Sequence, residues 1–274
     1  MTWTVVARKD FADAVRSRAL WGLTALFVLL MAGLAAVYRY VQVELAGAGE
    51  VETLSLLVFL AGPATLFVAV ATLVVCYKAV AGESESGSGK LLLGLPHTRR
   101  DVVVGKFVGR SAVLLSALAA GLLVALVVVV ALYADFSATQ YAAFAAVTAL
   151  SALAYVGLYV GLSATTTSTS RATVLTVGAF LVVQLLWDVV ALGITVFGPD
   201  VVSAATAQRA AVFVSTLVPN GAYQLVVGAV AADGFLPAAG TPFYGEGWYG
   251  VVVLVVWAVV PAALGYLRYR TLDL

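Results

Sequence analysis

Charge is scarce in this chain of 274 residues. Only 11% of them are Asp, Glu, Lys or Arg, against about a quarter in a soluble domain. Hydrophobic residues make up 63%, and the mean hydropathy is +1.06. A soluble fold is thereby excluded, because the apolar residues fall into runs of bilayer length. The single cysteine, Cys76, excludes an internal disulfide and a cysteine-based metal site, and two methionines leave little for a soft metal. The single histidine, His97, excludes the HExxH pattern of zinc proteases. It lies in a polar stretch beside Arg99 and Arg100, where neither metal binding nor catalysis has the partners it needs. A serine protease would need that histidine inside the bilayer, and the aspartate clusters of lipid head-group transferases are missing. No enzyme activity, metal or cofactor is therefore expected in this chain, and no nucleic-acid partner.

What is present is a series of apolar runs. About 20 residues rising 1.5 Å each cross the hydrocarbon layer, and six segments qualify: 19–38, 54–77, 111–133, 141–163, 172–193 and 248–267. The expected fold is all-α, a polytopic membrane protein with six transmembrane helices forming one domain. The first run is too long for the apolar region of a cleavable signal and is expected to remain as span 1. Pro63 and Pro261 fall inside spans 2 and 6 and should kink them.

Lysine and arginine set the orientation. With a cytoplasmic N-terminus, thirteen of them fall inside and only Arg39 and Arg209 outside. The expectation is a multi-pass protein of the cell membrane with both termini cytoplasmic. Residues 1–18 alternate apolar Trp3, Val6, Ala7, Phe11, Ala14 and Val15 with Arg8, Lys9, Asp13 and Arg16, predicting a helix along the inner surface of the bilayer. Residues 194–247 join spans 5 and 6. Within them, 210–232 is apolar but broken by Pro219, Asn220 and Gly221, so it reads as an outer or re-entrant hairpin rather than a seventh span. Trp248 and Tyr249 read as interfacial anchors.

Residues 78–110 form the longest inner stretch, far longer than a connection requires. They open with GESESGSGK, Gly82 to Lys90, which ends like a phosphate-binding loop. That loop needs a glycine where Ser84 stands and a Ser or Thr where Leu91 stands. Glu83 and Glu85 would also repel phosphate. The segment continues with the apolar LLLGL and Pro96, then a basic run into span 3, which suits either a docking element or a solvated loop.

The order Glu83, Glu85, Ser86, Gly87, Ser88, Lys90, Leu92, Leu93, Pro96, Arg99, then Gly105 and Lys106, resembles the signature of type-two ABC transporter permeases. The subgroup it is most similar to is the six-span permeases of nitrous oxide reductase maturation. Arg16 and Arg18 before span 1, SATTTSTSRA before span 5, VPNGAYQLVV in the hairpin and the terminal LRYRTLDL extend the resemblance along the chain. Ser88 replaces a threonine and Thr98 a serine. Gly89 replaces an apolar residue, which weakens a helix there by about 1 kcal/mol.

The resemblance implies a translocation subunit that pairs with a second permease copy and with a separate ABC ATPase, which would bind ATP and magnesium. It favours export. Glu83, Glu85, Gly87, Leu92, Leu93, Pro96 and Arg99 would then carry the coupling to that ATPase.

Within the spans, Asp188 is the one acidic residue, and Gln184 precedes it by four, on the same helical face. Asp188 is expected near the outer boundary, either paired with Arg39, Arg209 or interfacial water or lining a substrate path with Gln184. Gly157 and Gly161 form a small-residue face for helix packing or a dimer seam. The hydroxyls of the Thr-rich turn 165–169 are expected to cap neighbouring helices. An ion-driven carrier would show more buried charge or paired broken helices than this chain offers, and the long outer segment would also suit an anchor for an outer partner. Nothing in the sequence selects a substrate.

Overall fold

The computed structural model describes residues 3–47, 51–85, 98–133, 135–231 and 242–272. Among the described residues the fold is all-helical, with six helices long and apolar enough to cross a membrane. The N-terminal helix is Trp3–Val15. Span 1 is Arg18–Tyr40, continued by a π-helical turn, Val41–Leu45. Span 2 is Thr53–Cys76, followed by the short helix Ala81–Glu85. Span 3 is Arg99–Leu132, span 4 is Ala138–Ser163, and span 6 is Gly247–Tyr269. Span 5 runs from Thr169 to Asp200 through a π-helical turn at Val182–Leu186. Pro63 and Pro261 both lie inside uninterrupted helices.

Span 3 has 34 residues, so it is about 51 Å long. That exceeds the hydrocarbon layer by several turns, and the excess is its polar beginning, Arg99 to Arg110. Thr98 starts it with a capping box. The Thr98 hydroxyl accepts from the Asp101 amide, and the Asp101 carboxylate accepts from the Thr98 amide at 3.0 Å.

Span 4 is the most enclosed of the six and span 5 the least. Spans 4 and 6 meet backbone to backbone. A Cβ on Gly157 would lie 2.2 Å from the Ala258 carbonyl oxygen, one on Gly161 2.2 Å from that of Pro261, and one on Gly265 2.2 Å from that of Gly161. The small-residue face foreseen on span 4 is therefore filled within the chain, by span 6.

Residues 204–231 form two helices, Ala204–Ser215 and Pro219–Ala231, bent by 105°. Gly221 permits the bend, since a Cβ there would meet the Ser215 carbonyl oxygen. The second helix buries Ala222, Tyr223, Val226 and Val227 in the bundle core. Near the bend, Trp257 donates to the Leu217 carbonyl at 2.8 Å, and the Tyr223 and Thr148 hydroxyls share a hydrogen bond of 2.9 Å. Trp257 and Thr148 each lie ten residues from the first residues of their helices, about 15 Å along. The bend therefore sits near half the height of the bundle.

Candidate functional site: the coupling end of the bundle

With six alternating spans, the N-terminal helix, the connection between spans 2 and 3, the turn between spans 4 and 5 and the C-terminus all lie at one end of the bundle. Specific contacts tie them together there. The N-terminal helix packs on the polar beginning of span 3 through two glycines. A Cβ on Gly105 would lie 2.6 Å from Val6 Cβ, and one on Gly109 2.9 Å from Asp10 Cβ. Gly105 and Gly109 thus form a one-turn groove that lets the two backbones approach.

At the bottom of that groove sits a buried ion network. Lys106 Nζ lies 2.7 Å from Asp10 Oδ1 and 2.6 Å from Glu83 Oε1. Arg110 Nε lies 2.8 Å from Asp10 Oδ2. Lys106 and Asp10 are each about 95% buried, so neither charge could persist there without its partners. Arg110 also donates to the Val75 carbonyl at 2.9 Å, satisfying an acceptor left open where span 2 ends. The N-terminal helix, the helix carrying Glu83 and span 3 therefore share one set of charges, and Arg110 ties that set to the end of span 2.

The other side of the short helix Ala81–Glu85 is held by spans 4 and 5. Ser163 Oγ accepts from the Val80 and Ala81 amides at 3.2 and 3.3 Å. The Glu85 carboxylate accepts from the Thr169 amide at 3.1 Å and from the Thr169 hydroxyl, at the first turn of span 5. An anion is favoured at a helix N-terminus, and these bonds, the hydroxyl first, hold the Glu85 carboxyl below the usual carboxylate range. In the Thr-rich turn, the Thr165 hydroxyl donates to the Leu162 carbonyl at 2.7 Å and closes span 4.

Arg99 reaches across to the end of span 6. Its Nη1 donates to the carbonyls of Tyr269, Arg270 and Leu272 at 2.7, 3.0 and 2.7 Å. Its guanidinium also stacks 5.8 Å from the Tyr269 ring centroid. The structure thus brings Glu83, Glu85 and Arg99 to one end of the bundle, each bonded within the chain. Gly87, Leu92, Leu93 and Pro96 lie outside the described residues.

Gln184 and Asp188 lie elsewhere, in the middle of the bundle. Gln184 is buried in the π-helical turn of span 5, and its Oε1 accepts from the Tyr155 hydroxyl at 2.6 Å. Asp188 is exposed one turn further on, 3.4 Å from the Asn220 side-chain amide at the bend of the hairpin. Span 5 continues through Ile194–Phe197 to Asp200, twelve residues beyond Asp188. Among the described residues the Asp188 carboxylate meets Asn220.

Sequence reasoning missed Asp10. The alternation in the first fifteen residues separates an apolar from a charged face, and Asp10 stands on the seam between them. A signal existed in TRRD, residues 98–101, which predicts a helix start at Thr98 and hence a helical Gly105-x-x-x-Gly109 groove.

Comparison with known proteins agrees with this geometry. Residues 4–274 match the family described as ABC-2 family transporter protein. The chain is 28% identical over 282 residues to a probable ABC transporter permease protein NosY of Pseudomonas aeruginosa, covering 98% of each chain. It is also 28% identical over 284 residues to the probable permease NosY of Stutzerimonas stutzeri, covering 93% of this chain and 96% of that one. A match over nearly the whole length, on six candidate spans, places the chain in the ABC-2 family of transporter proteins, as the membrane-spanning permease component of an ABC transporter.

Proposed function

We propose that this permease is the translocation subunit of an ATP-driven exporter, that its ATP is hydrolysed by a separate ABC ATPase, and that residues 78–110 receive the stroke of that ATPase in the cytoplasm. The network of Lys106 with Asp10 and Glu83 carries the reading. A segment that served only to connect two spans would need no buried charges joining it to the N-terminal helix, and no bonds from Glu85 into span 5. With them, displacement of the helix Ala81–Glu85 moves spans 2, 3 and 5 together. Glu83, Glu85 and Arg99 hold the coupling element in place from behind. Gly87, Leu92, Leu93 and Pro96 are left to meet the ATPase.

Two copies of the permease complete the path. The exposed face of span 5 is apolar at Leu185, Leu186, Val189 and Val190 but carries Asp188. A carboxylate facing lipid at that depth is costly, so a second copy or a water-filled path shared with it covers this face. Asp188, Gln184 and Asn220 then line the middle of the path.

Co-purification in mild detergent tests the reading. An ABC ATPase should accompany the permease in equimolar amount and be lost from Leu92→Asp/Leu93→Asp, while Arg268→Gln retains it. Recovery of the permease without an ATPase, or an ATPase that tolerates both aspartates, contradicts it.

A further inference from the structure

Towards the coupling end a groove lies between spans 3 and 6. Val103, Val104 and Phe107 line it from span 3, and Ala258, Ala262 and Tyr266 from span 6, around a volume of about 380 Å³. Both walls are single helical stripes. Arg100, Val103, Val104 and Phe107 follow a spacing of three, four and seven, and Val259, Ala262, Ala263, Tyr266 and Arg270 continue the same rule on the other helix. Each apolar stripe thus ends, at the coupling end, in an arginine.

Arg100 is exposed at the mouth, and Arg270 lies 5.8 Å from the ring centroid of Tyr266, which lines the groove. The bond from Arg99 to the Arg270 carbonyl fixes the two walls side by side at this point. Neither the Arg100 nor the Arg270 side chain is ion-paired among the described residues. Beyond Arg100 the groove opens into a second, more polar recess of about 490 Å³, bounded by Trp3, Thr98, Asp101 and Val104. The one carboxylate in that recess, Asp101, is turned to the Thr98 amide and hydroxyl at 3.0 and 2.7 Å.

We infer that this is a binding site for an anionic glycerophospholipid, with an acyl chain in the groove between spans 3 and 6 and the phosphate between Arg100 and Arg270. A guanidinium pairs with phosphate in two-pronged geometry. Basic pockets between membrane helices at the cytoplasmic surface suit anionic head groups. The apolar groove adds what a merely basic surface lacks, a place that removes one chain from the bulk lipid. Bound there, the lipid braces the start of span 3 against the end of span 6, next to the ion network.

Native mass spectrometry of the full-length chain in dodecyl maltoside micelles tests this, with dioleoyl phosphatidylglycerol and dioleoyl phosphatidylcholine as the probes. Micelles have no sides, so the outcome does not depend on the proposed orientation or on an ATPase. One phosphatidylglycerol per chain should be retained in preference to phosphatidylcholine. Arg100→Gln and Arg270→Gln should each weaken it about fivefold, and together about 25-fold. Arg268→Gln, a charge of the same sign on another face of span 6, should leave it unchanged, and Ala262→Trp, which fills the groove, should abolish it. Should Ala262→Trp fail to fold, the three arginine variants decide alone. Equal retention of the two lipids overturns the inference, as does an equal loss in Arg268→Gln or undiminished binding to a folded Ala262→Trp. Disulfide cross-linking of two chains through Val259→Cys in a Cys76→Ala background would assign the groove to a second copy and overturn it as well.

Discussion

The ammonium of Lys106 and the carboxylate of Asp10 meet at 2.7 Å across the seam between span 3 and the N-terminal helix, in a place almost closed to solvent. They come from positions 96 residues apart. Glu83 adds a second carboxylate to the same ammonium, and Arg110 a second cation to Asp10. The charges alternate, so each is balanced only while all three chain segments stay in place.

Removing the central cation should therefore be costly. Lys106→Ala leaves two carboxylates close together in a buried site, a change of the kind that costs about 3–5 kcal/mol. The account predicts a lower thermal midpoint and early proteolytic loss of residues 1–17. Asp10→Asn/Glu83→Gln/Lys106→Met, which removes the charges together, should recover most of the midpoint. Equal damage in the single and triple variants would show that the charges do not act as a set.

Glycines in the chain should divide by their surroundings. Gly161→Ala would set a methyl group against the Pro261 carbonyl oxygen and Gly105→Ala would set one against Val6, so each should lower stability by about 1–3 kcal/mol. Gly178→Ala adds its methyl to open space within a helix, and should raise helix stability by up to about 1 kcal/mol. Thermal unfolding of the purified permease in detergent compares the three directly.

The contact of Glu85 with Thr169 should depend on pH in a definite sense. The folded carboxyl is held below the ordinary range, by the Thr169 hydroxyl first and its amide second. A group lowered in this way stabilises fully above the unfolded glutamate value of about 4.3, and its contribution disappears as pH falls through the folded value. Hydrogen exchange of the peptide containing Thr169 should be faster in Glu85→Gln than in the wild type at pH 7. That difference should disappear as pH falls through the folded value.

The Tyr155 to Gln184 bond joins spans 4 and 5 inside the bundle. A double-mutant cycle with Tyr155→Phe and Gln184→Leu should give a coupling of about 0.6–1.7 kcal/mol, the range for hydrogen bonds between membrane helices. A coupling of zero would mean that the π-helical turn presents Gln184 for some purpose other than packing.

Much of this architecture is legible in the sequence, because a bilayer imposes length. Six apolar runs gave six spans, and Pro219, Asn220 and Gly221 marked the break in the hairpin. The glycines at 157 and 161 announced a close helix contact, although only packing identified span 6 as the neighbour. What stayed hidden were pairings between distant positions. Nothing local distinguishes Asp10 from an ordinary surface aspartate, since its burial is created by Gly105, Gly109 and Lys106. Arg99 reads as a free docking charge until the end of span 6 brings three backbone carbonyls beside it. The length of span 5 was hidden as well, because hydropathy sets a minimum span length and does not stop the helix, which runs on to Asp200.

The most direct test of the coupling account follows the middle of the bundle while ATP acts at its end. Cys76 is the sole cysteine and is buried, so Asp188→Cys in a Cys76→Ala background gives a single reporter for a water-soluble maleimide. In the complex with its ATPase, ATP should change the labelling rate at that position, and Lys106→Met should abolish the change while leaving the ATPase bound. An ATP response of the same size with and without Lys106 would contradict the claim that the ion network transmits the stroke.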